Sequence, residues 1–286
     1  MKKIAAIHDL SGYGRASLTV VIPILSHMGY QVCPLPTAVL SAHSEYPGFR
    51  SQDLTDFMGE AIDHWKALGL QFDAIYSGYL ASGRQMEIVE EFFREFKNEG
   101  NFIVVDPVVG DHGKLYPGMT DGMVAGMRRL CACAKIITPN LTEAAFLLGR
   151  DPRGPISPAE AVRWCEALSA LGPEHVIITS APHEHARNVA TLAYNRTDGR
   201  AWRVVSDHVP ASYPGTGDAF ASVITGCMLN GESLPEAIDR AVHFINMGIK
   251  ATFGHPHQPL NGMNQERVLH YLNAPLPYYS YELINE

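Results

Sequence analysis

The sequence predicts an α/β fold in which a mostly parallel sheet lies between two layers of helices. Short apolar runs alternate with longer amphipathic stretches along the 286 residues, a pattern typical of strands that alternate with helices. Phe102–Asp106 contains a continuous apolar run, as expected of a strand buried on both faces. Because the sequence shows no repeat, low-complexity tract or linker-like segment, we expect a single domain spanning residues 1–286.

The first part of the chain is expected to alternate regularly between strands and helices. A glycine follows each expected helix in this part of the chain: Gly29, Gly69 and Gly100. These glycines predict the helix ends, because glycine readily adopts the left-handed conformation that ends many helices. The expected elements are, in order, strand Lys3–His8, helix Ser17–Met28, strand Gln31–Val39, helix Asp53–Leu68, strand Ala74–Ser77, helix Arg84–Glu99 and strand Phe102–Asp106.

The second part of the chain continues this pattern and then departs from it. Two further strands each follow a helix-like segment, and an antiparallel pair is joined by a turn at Asp198-Gly199. Ligands of parallel sheets bind outside the carboxyl ends of the strands, so polar residues just after each apolar run are the candidates for chemistry. The expected elements are strands Ile136–Thr138, Val176–Thr179, Val189–Tyr194 and Trp202–Val205, and helices Asp218–Asn230 and Leu234–Ala251.

Composition and charge argue against several classes of protein. The formal net charge of -8 offers no basic face for nucleic acid. No apolar run is long enough for a membrane span or a signal peptide, so we expect a cytoplasmic protein without membrane partners. The 5 cysteines are odd in number and scattered, which favours buried reduced thiols over a metal site.

The segment Pro214–Phe220 is the most informative part of the sequence. Gly215, Thr216 and Gly217 stand just before an expected helix, where backbone N–H groups and the helix dipole form an anion hole for phosphate oxygens. Asp218 follows directly, placed to remove the proton of an acceptor hydroxyl during phosphoryl transfer. The alternative from spacing alone is an ordinary turn and a helix cap.

With this loop, the chain resembles the pyridoxal (pyridoxamine, pyridoxine) kinases of the ribokinase-like superfamily over nearly its whole length. The resemblance implies a ribokinase-like three-layer α-β-α sandwich and an ATP-dependent transfer to the 5′-hydroxymethyl group of a B6 vitamer, in pyridoxal 5′-phosphate salvage. It also implies a homodimer. The residues that carry it are Tyr13-Gly14, Ser41-Ala42-His43-Ser44, Ser77-Gly78-Tyr79-Leu80, Asp106-Pro107-Val108, Thr138-Pro139-Asn140 with Glu143, and Gly215 through Asp218.

The resemblance further implies a site for ATP and its cations. Asp106 and Glu143 would hold Mg²⁺, which prefers carboxylates and phosphate oxygens, although Asn140 to Glu143 also reads as a capping box and we expect both roles. A monovalent ion, K⁺ or Na⁺, is the candidate for a pocket near Asp111 and Tyr116. The hairpin Val189–Val205 and the segment Ser206–Pro210 would cover the nucleotide. The full set for ATP is Asp106, Asp111, Tyr116, Thr138, Asn140, Glu143, Thr179 and Ser180.

The vitamer is expected to bind after the first two strands. Asp9 stands where many pyridoxal kinases carry serine, and its carboxylate can pair with a protonated ring nitrogen or a cationic aminomethyl group. This departure tilts the expected preference toward pyridoxamine. Tyr13 and Tyr79 offer aromatic faces for stacking, although Tyr79 also fits a core position. The remaining candidates for contact with the vitamer are Ser11, His43, Ser44 and Glu45.

Two alternative functions remain open at this point. A hydroxymethylpyrimidine kinase of thiamine salvage shares the superfamily, and Asp9 leans slightly toward it. A non-catalytic B6 vitamer-binding sensor would not need Asp218. Four histidines resemble a set of metal ligands by residue type, but they stand in proline-containing loops, and we expect them to be solvated. They are His183, His185, His255 and His257.

Overall fold

The strands and helices were assigned in a computed structural model, which describes residues 1–185, 187–255, 259–276 and 278–284. The strands are β1 (Lys3–Ser11), β2 (Gln31–Leu40), β3 (Ser51–Asp53), β4 (Ala74–Ser77), β5 (Phe102–Val105), β6 (Gly110–Asp111), β7 (Lys114–Leu115), β8 (Ile136–Ile137), β9 (His175–Pro182), β10 (Asn188–Asn195), β11 (Arg200–Asp207) and β12 (Tyr281–Leu283). The helices are α1 (Leu18–His27), α2 (Thr55–Ala67), α3 (Gly83–Phe96), α4 (Asp121–Cys133), α5 (Leu141–Leu148), α6 (Pro158–Ser169), α7 (Thr216–Asn230) and α8 (Leu234–Phe253).

A 10-stranded sheet organises the molecule, in the order β12-β11-β10-β9-β8-β5-β4-β1-β2-β3. The pairs from β2 through β9 are parallel, whereas β3 and the strands from β10 to β12 pair antiparallel. The strands β6 and β7 form a separate hairpin. The predicted α/β class with a mostly parallel central sheet is confirmed.

Two apolar cores lie between the sheet and its two layers of helices. One core packs side chains of α2, α3, α4, α5 and α6 against one face of the sheet. The other packs α1, α7 and α8 against the opposite face. Central strands are buried on both faces: Ile75 faces one core and Tyr76 the other. This is why their sequences are continuously apolar rather than alternating.

Several element bounds differ from the sequence prediction for identifiable reasons. Helix α3 ends at Phe96 rather than at Glu99, because Asn98 and Asn101 bind nearby backbone N–H groups and so compete with helical hydrogen bonds. The exposed strand β3 was not predicted, since it has no buried face to impose a pattern. The antiparallel pair β10–β11 with its turn at residues 195–200 is confirmed.

Other expectations from composition can also be compared with the structure. No helix within the described ranges is both long and apolar enough to cross a membrane. The cysteines are free thiols, of which Cys131, Cys165 and Cys227 are buried. Of the histidines expected to be solvated, His185 and His255 are exposed and His183 is half-buried, while His257 lies outside the described residues.

Candidate active site

Three carboxylates from distant parts of the sequence meet at the carboxyl ends of the parallel strands. Asp9 lies near the end of β1, Asp106 follows β5 directly, and Asp218 stands in the first turn of α7. Helix α7 packs against this edge, with Tyr76 Oη of β4 lying 3.4 Å from the carbonyl oxygen of Asp218. The predicted base therefore lies beside the carboxyl ends of the parallel strands, with a side chain only 14% exposed.

The loop before α7 has the geometry of an anion-binding helix N-terminus. Gly215 is the N-cap residue and has a left-handed backbone (φ 78°). A Cβ added there would lie 2.4 Å from the carbonyl oxygen of Arg15, so both conformation and space require glycine. Gly217 is exposed, and the first N–H groups of a helix have no intrahelical partner. Thr216 donates its hydroxyl to the Tyr213 carbonyl at 3.0 Å. The loop can therefore receive phosphate oxygens on its backbone amides.

Asp218 accepts a backbone hydrogen bond and lies beside a buried imidazole. Ser17 N–H donates to its Oδ2 at 2.8 Å, and His8 Nδ1 lies 3.9 Å from its Oδ1. Burial raises the pKa of Asp218 to about 6, opposed by the Ser17 hydrogen bond and increased further by the charge of Asp9. A carboxylate with this pKa is ionised near neutrality and is a stronger base than a solvated aspartate.

Asp106 and Glu143 form a second, interacting pair of buried carboxylates. Burial raises the pKa of Asp106, and the charge of Asp218 raises it further. Burial likewise raises the pKa of Glu143, with Asp106 as the next contributor. Thr138 Oγ donates to Asp106 Oδ1 at 3.0 Å. Within the described residues, the charges that contribute to both shifts are those of other carboxylates.

The capping box predicted at Asn140 is present. Asn140 Oδ1 accepts from Glu143 N–H at 2.9 Å, and Glu143 Oε2 accepts from Asn140 N–H at 2.8 Å. Glu143 Oε1 also accepts from Val109 N–H at 3.3 Å. Each carboxylate oxygen still has a second acceptor position, so the cap leaves room for the predicted role toward a cation.

The donor set around Asp106 fits Mg²⁺ rather than an all-protein metal site. Within the described residues, no cluster of three or more His, Cys, Asp or Glu side chains could hold a metal. Mg²⁺ is typically bound by one or two carboxylates together with waters and substrate phosphates. The pair Asp106 and Glu143, near the N-terminal loop of α7 that is predicted to bind phosphate, matches this pattern, and a cation there would relieve the repulsion that contributes to both raised pKa values.

The other residues predicted for ATP lie around this pair. Thr179 N–H donates to the Pro139 carbonyl at 3.0 Å, which places it beside Asn140. Ser180 is exposed and has a positive φ of 56°. Asp111 Oδ1 accepts from His112 N–H at 2.7 Å. Burial raises the pKa of the Tyr116 hydroxyl, and the charges of Glu143, Asp111, Asp106 and Glu45 add to the increase, so Tyr116 stays protonated among carboxylates.

Asp9, predicted to contact the vitamer, is buried near the carboxyl end of β1. Its Oδ1 accepts from Ser17 Oγ at 2.5 Å, and its Oδ2 accepts from Ser11 Oγ at 3.2 Å. Burial raises the pKa of Asp9, while both serine hydrogen bonds oppose that increase by stabilising the ionised form. Tyr79 is half-buried, and Asp9 contributes to the raised pKa of its hydroxyl after burial. Asp9 and Tyr79 are thus brought together.

The remaining residues predicted to contact the vitamer differ in their exposure to solvent. Tyr13 is 54% exposed, with its ring centroid 5.3 Å from that of Tyr46. His43 is buried, and its Nε2 lies 2.6 Å from the Leu260 carbonyl oxygen. Ser44 and Glu45 are exposed. His43 is therefore hydrogen-bonded to the segment around Leu260 in this structure. Its contact with the vitamer stays a prediction.

Two residues at the site were not predicted from the sequence. Ser17 bonds both Asp9 and Asp218, yet its sequence context suggested an ordinary helix start. His8 is completely buried, and neither of its ring nitrogens has a hydrogen-bond partner. Burial lowers the pKa of His8 to about 3, so the ring is neutral. The signal for His8 in the sequence is a histidine at the end of an apolar run, directly before Asp9.

Comparison with known proteins places the chain in a family. Residues 55–261 match the model of the phosphomethylpyrimidine kinase family. The chain belongs to the phosphomethylpyrimidine kinase family. The matched range contains Asp106, Glu143 and the Gly215–Asp218 loop, so most of the candidate site lies within the shared part.

Solved structures and curated relatives refine this membership. A Bacteroides thetaiotaomicron protein provisionally named a phosphomethylpyrimidine kinase, solved with pyridoxal, is 53% identical, with a TM-score of 0.96 over 99% of each chain. Pyridoxal kinase from Lactobacillus plantarum is 30% identical, with a TM-score of 0.87 over 96% of this chain and 97% of that chain. The pyridoxal kinase PdxY of Burkholderia lata is 29% identical over 88% of this chain and 90% of its own length. The predicted resemblance of this family member to pyridoxal kinases is confirmed.

Proposed function

We propose that this protein transfers the γ-phosphoryl group of ATP to the 5′-hydroxymethyl group of a B6 vitamer: pyridoxal, pyridoxamine or pyridoxine. The observation that carries the proposal is the position of Asp218, a largely buried carboxylate on the first turn of a helix that begins at the Gly215–Gly217 loop. A base and an anion site at one strand end are the two components that phosphoryl transfer to an alcohol requires.

The proposed reaction uses the residues in a definite order. The amides around Gly215, Thr216 and Gly217 bind phosphate oxygens and hold the γ-phosphoryl group near Asp218. Asp218 accepts the proton of the vitamer's hydroxymethyl group, and the resulting oxygen attacks phosphorus while the bond to the ADP oxygen breaks. Ser17 N–H, bound to Asp218 Oδ2, keeps the carboxylate turned toward the cleft.

Cations complete the proposal. Asp106 and Glu143 would hold Mg²⁺, which would neutralise charge on the transferring phosphoryl group when bound. A K⁺ or Na⁺ ion near Asp111 and Tyr116 belongs to the same proposal. Homodimeric assembly rests on the family resemblance, whereas a cytoplasmic location rests on the composition of the sequence, and both belong to the proposal.

The acceptor pocket supports a pyridine substrate. Asp9 is kept in place by two serine hydroxyls and can pair with a ring nitrogen or an aminomethyl group. The Bacteroides relative contains pyridoxal despite its pyrimidine kinase name, so the hydroxymethylpyrimidine alternative is not favoured. The raised pKa of Asp218 suits catalysis and would have no use in a sensor that only binds the vitamer.

The test is a parallel kinetic assay of the purified protein. We expect ADP release with Mg²⁺-ATP and each B6 vitamer, and mass spectrometry should detect the vitamer carrying one added phosphoryl group. Hydroxymethylpyrimidine is the matched competing acceptor, and we expect its kcat/KM to be at least about tenfold lower, which equals roughly 1.4 kcal/mol. Vitamer binding without ADP release would refute the kinase proposal in favour of a sensor, and faster turnover of the pyrimidine would reassign the substrate.

A further inference from the structure

Ser17 has a backbone conformation that serine rarely adopts. Its φ of 54° and ψ of -131° resemble the first central position of a type II′ turn, which glycine occupies with least strain. In the described part of the chain, the other non-glycine residues with positive φ are His112 and Ser180, and both are exposed. Ser17 is buried. A strained residue persists where surrounding contacts fix it, and such residues cluster at functional sites.

Both hydrogen-bond donors of Ser17 are directed at carboxylates. Its N–H donates to Asp218 Oδ2 at 2.8 Å, and its hydroxyl donates to Asp9 Oδ1 at 2.5 Å. Ser17 is also the N-cap residue of α1, yet its side chain makes no capping hydrogen bond. Because a serine at this position ordinarily satisfies a helix N–H, the hydroxyl serves Asp9 in place of the helix.

Ser17 therefore connects the carboxylate proposed as the base with the carboxylate proposed to bind the vitamer ring. Asp218 acts on the hydroxymethyl group, while Asp9 faces the vitamer ring. We infer that Ser17 is a positioning residue that fixes the base relative to the carboxylate that recognises the ring, so that a correctly bound ring presents its hydroxymethyl group to the base. The inference rests on the proposed function, because it concerns the spacing of two groups on one vitamer.

The strain explains why the hydroxyl matters for the base. The bond to Asp9 helps to hold Ser17 in its positive-φ conformation, and in that conformation its N–H donates to Asp218. Without the hydroxyl, an alanine at this position would relax toward negative φ and carry its N–H away from Asp218. A glycine would also lose the bond to Asp9, but it adopts the same backbone conformation without strain.

Steady-state kinetics at saturating Mg²⁺-ATP, with pyridoxal and pyridoxamine, test this inference. The variants are Ser17→Ala, Ser17→Gly and Ser11→Ala. Ser11 is the matched comparison because its hydroxyl donates to the other oxygen of Asp9, at 3.2 Å, and within the described residues it makes no hydrogen bond to Asp218. Thermal unfolding of each variant checks the fold.

We expect Ser17→Ala to raise the vitamer KM and to lower kcat by about tenfold or more, since misplacing a reacting group by about 1 Å has effects of this size. Ser11→Ala should raise KM as well, but it should lower kcat by a clearly smaller factor than Ser17→Ala does, because in the described part of the chain Ser11 makes no hydrogen bond to Asp218. Ser17→Gly should raise KM like Ser17→Ala but lower kcat less. In an Asp9→Ala background, Ser17→Ala should raise KM no further, because the two residues act as a unit.

The inference is overturned if Ser17→Ala keeps the wild-type kcat, or if it and Ser11→Ala change kcat and KM by the same factors. Should Ser17→Ala not fold, the glycine variant decides: a wild-type vitamer KM would exclude the connection to Asp9. A wild-type protein that phosphorylates no vitamer would refute the proposed function itself, and the same assay series detects that outcome separately.

Discussion

His8 Nδ1 lies 3.9 Å from Asp218 Oδ1, and the buried imidazole fills the space between Tyr76 and Gly78. The His8 and Tyr76 ring centroids are 4.4 Å apart in an edge-to-face arrangement. A Cβ added to Gly78 would lie 2.4 Å from His8 Cε1 and Nδ1. The absence of a side chain at residue 78 therefore determines where the ring behind the base can lie.

Gly78→Ala should displace His8 and disturb Asp218. We expect a loss of about 1–3 kcal/mol in the free energy of unfolding, because overpacking a buried site forces its neighbours to move. We also expect kcat to fall by about tenfold or more. Gly59→Ala is the matched control, since Gly59 lies inside α2 with nothing within 4 Å of an added Cβ; it should gain about 0.5–1 kcal/mol. Equal unfolding temperatures for Gly78→Ala and wild type would contradict the packing argument.

The pH dependence of turnover should report Asp218. Its pKa is raised to about 6 by burial, and the base acts only when ionised, so kcat/KM should fall as pH decreases below about 6. The profile of kcat/KM between pH 5 and pH 8 measures this limb in the free enzyme. If kcat/KM falls at the same pH with pyridoxal and with pyridoxine, the group that titrates is on the protein and not on the acceptor. Constant kcat/KM down to pH 5 would be incompatible with a base in this environment.

Asp106→Asn should stabilise the protein at alkaline pH when nucleotide and divalent cations are absent. The folded-state pKa of Asp106 is raised by burial and by Asp218, so between the unfolded and folded pKa values the folded protein binds more protons. Stability therefore falls as pH rises through this window. We expect Asn to add on the order of 2 kcal/mol at pH 8 and much less at pH 4, where the carboxyl is neutral in the folded state and only about half ionised in the unfolded state.

Thermal unfolding at both pH values measures this effect. Asp63→Asn, which removes an exposed carboxylate of α2, controls for the loss of one negative charge. A lower unfolding temperature for Asp106→Asn than for wild type at pH 8 would show that the ionised carboxylate is stabilised by contacts other than those described.

Asp9→Ser should shift vitamer preference from pyridoxamine toward pyridoxal. The carboxylate can pair with the cationic aminomethyl group, whereas a hydroxyl offers only a neutral hydrogen bond. We expect the ratio of kcat/KM for pyridoxamine to that for pyridoxal to fall by about tenfold. If the ratio is unchanged, Asp9 does not recognise the amine.

The sheet and the loop Gly215–Asp218 could both be predicted from local patterns in the sequence. Strands buried on both faces must be apolar, so segments such as Phe102–Val105 are visible in the sequence, and the polar residue after each one marks a strand end. Gly215 was also predictable, because a left-handed turn before a helix leaves few other choices. Short exposed strands such as β3 and β12 carry no such pattern.

The details of the site depend on contacts that sequence proximity does not reveal. The conformation of Ser17 is set partly by Asp218, 201 residues away, and a serine before a helix is ordinarily predicted to be a cap. The place of His8 depends on Tyr76 and on the missing side chain of Gly78. The neutral state of His8 follows from complete burial, which only the packed structure shows.

The most direct test of phosphoryl transfer by this site is the turnover of Asp218→Asn. Asparagine keeps the size of the side chain and can still accept the Ser17 hydrogen bond, but it cannot take a proton. We expect kcat to fall by about 10²–10⁴, the usual contribution of a positioned acid or base, while ATP binding measured by calorimetry stays near that of wild type. A kcat within a few-fold of wild type, in a folded variant that binds ATP, would contradict the assignment of Asp218 as the base.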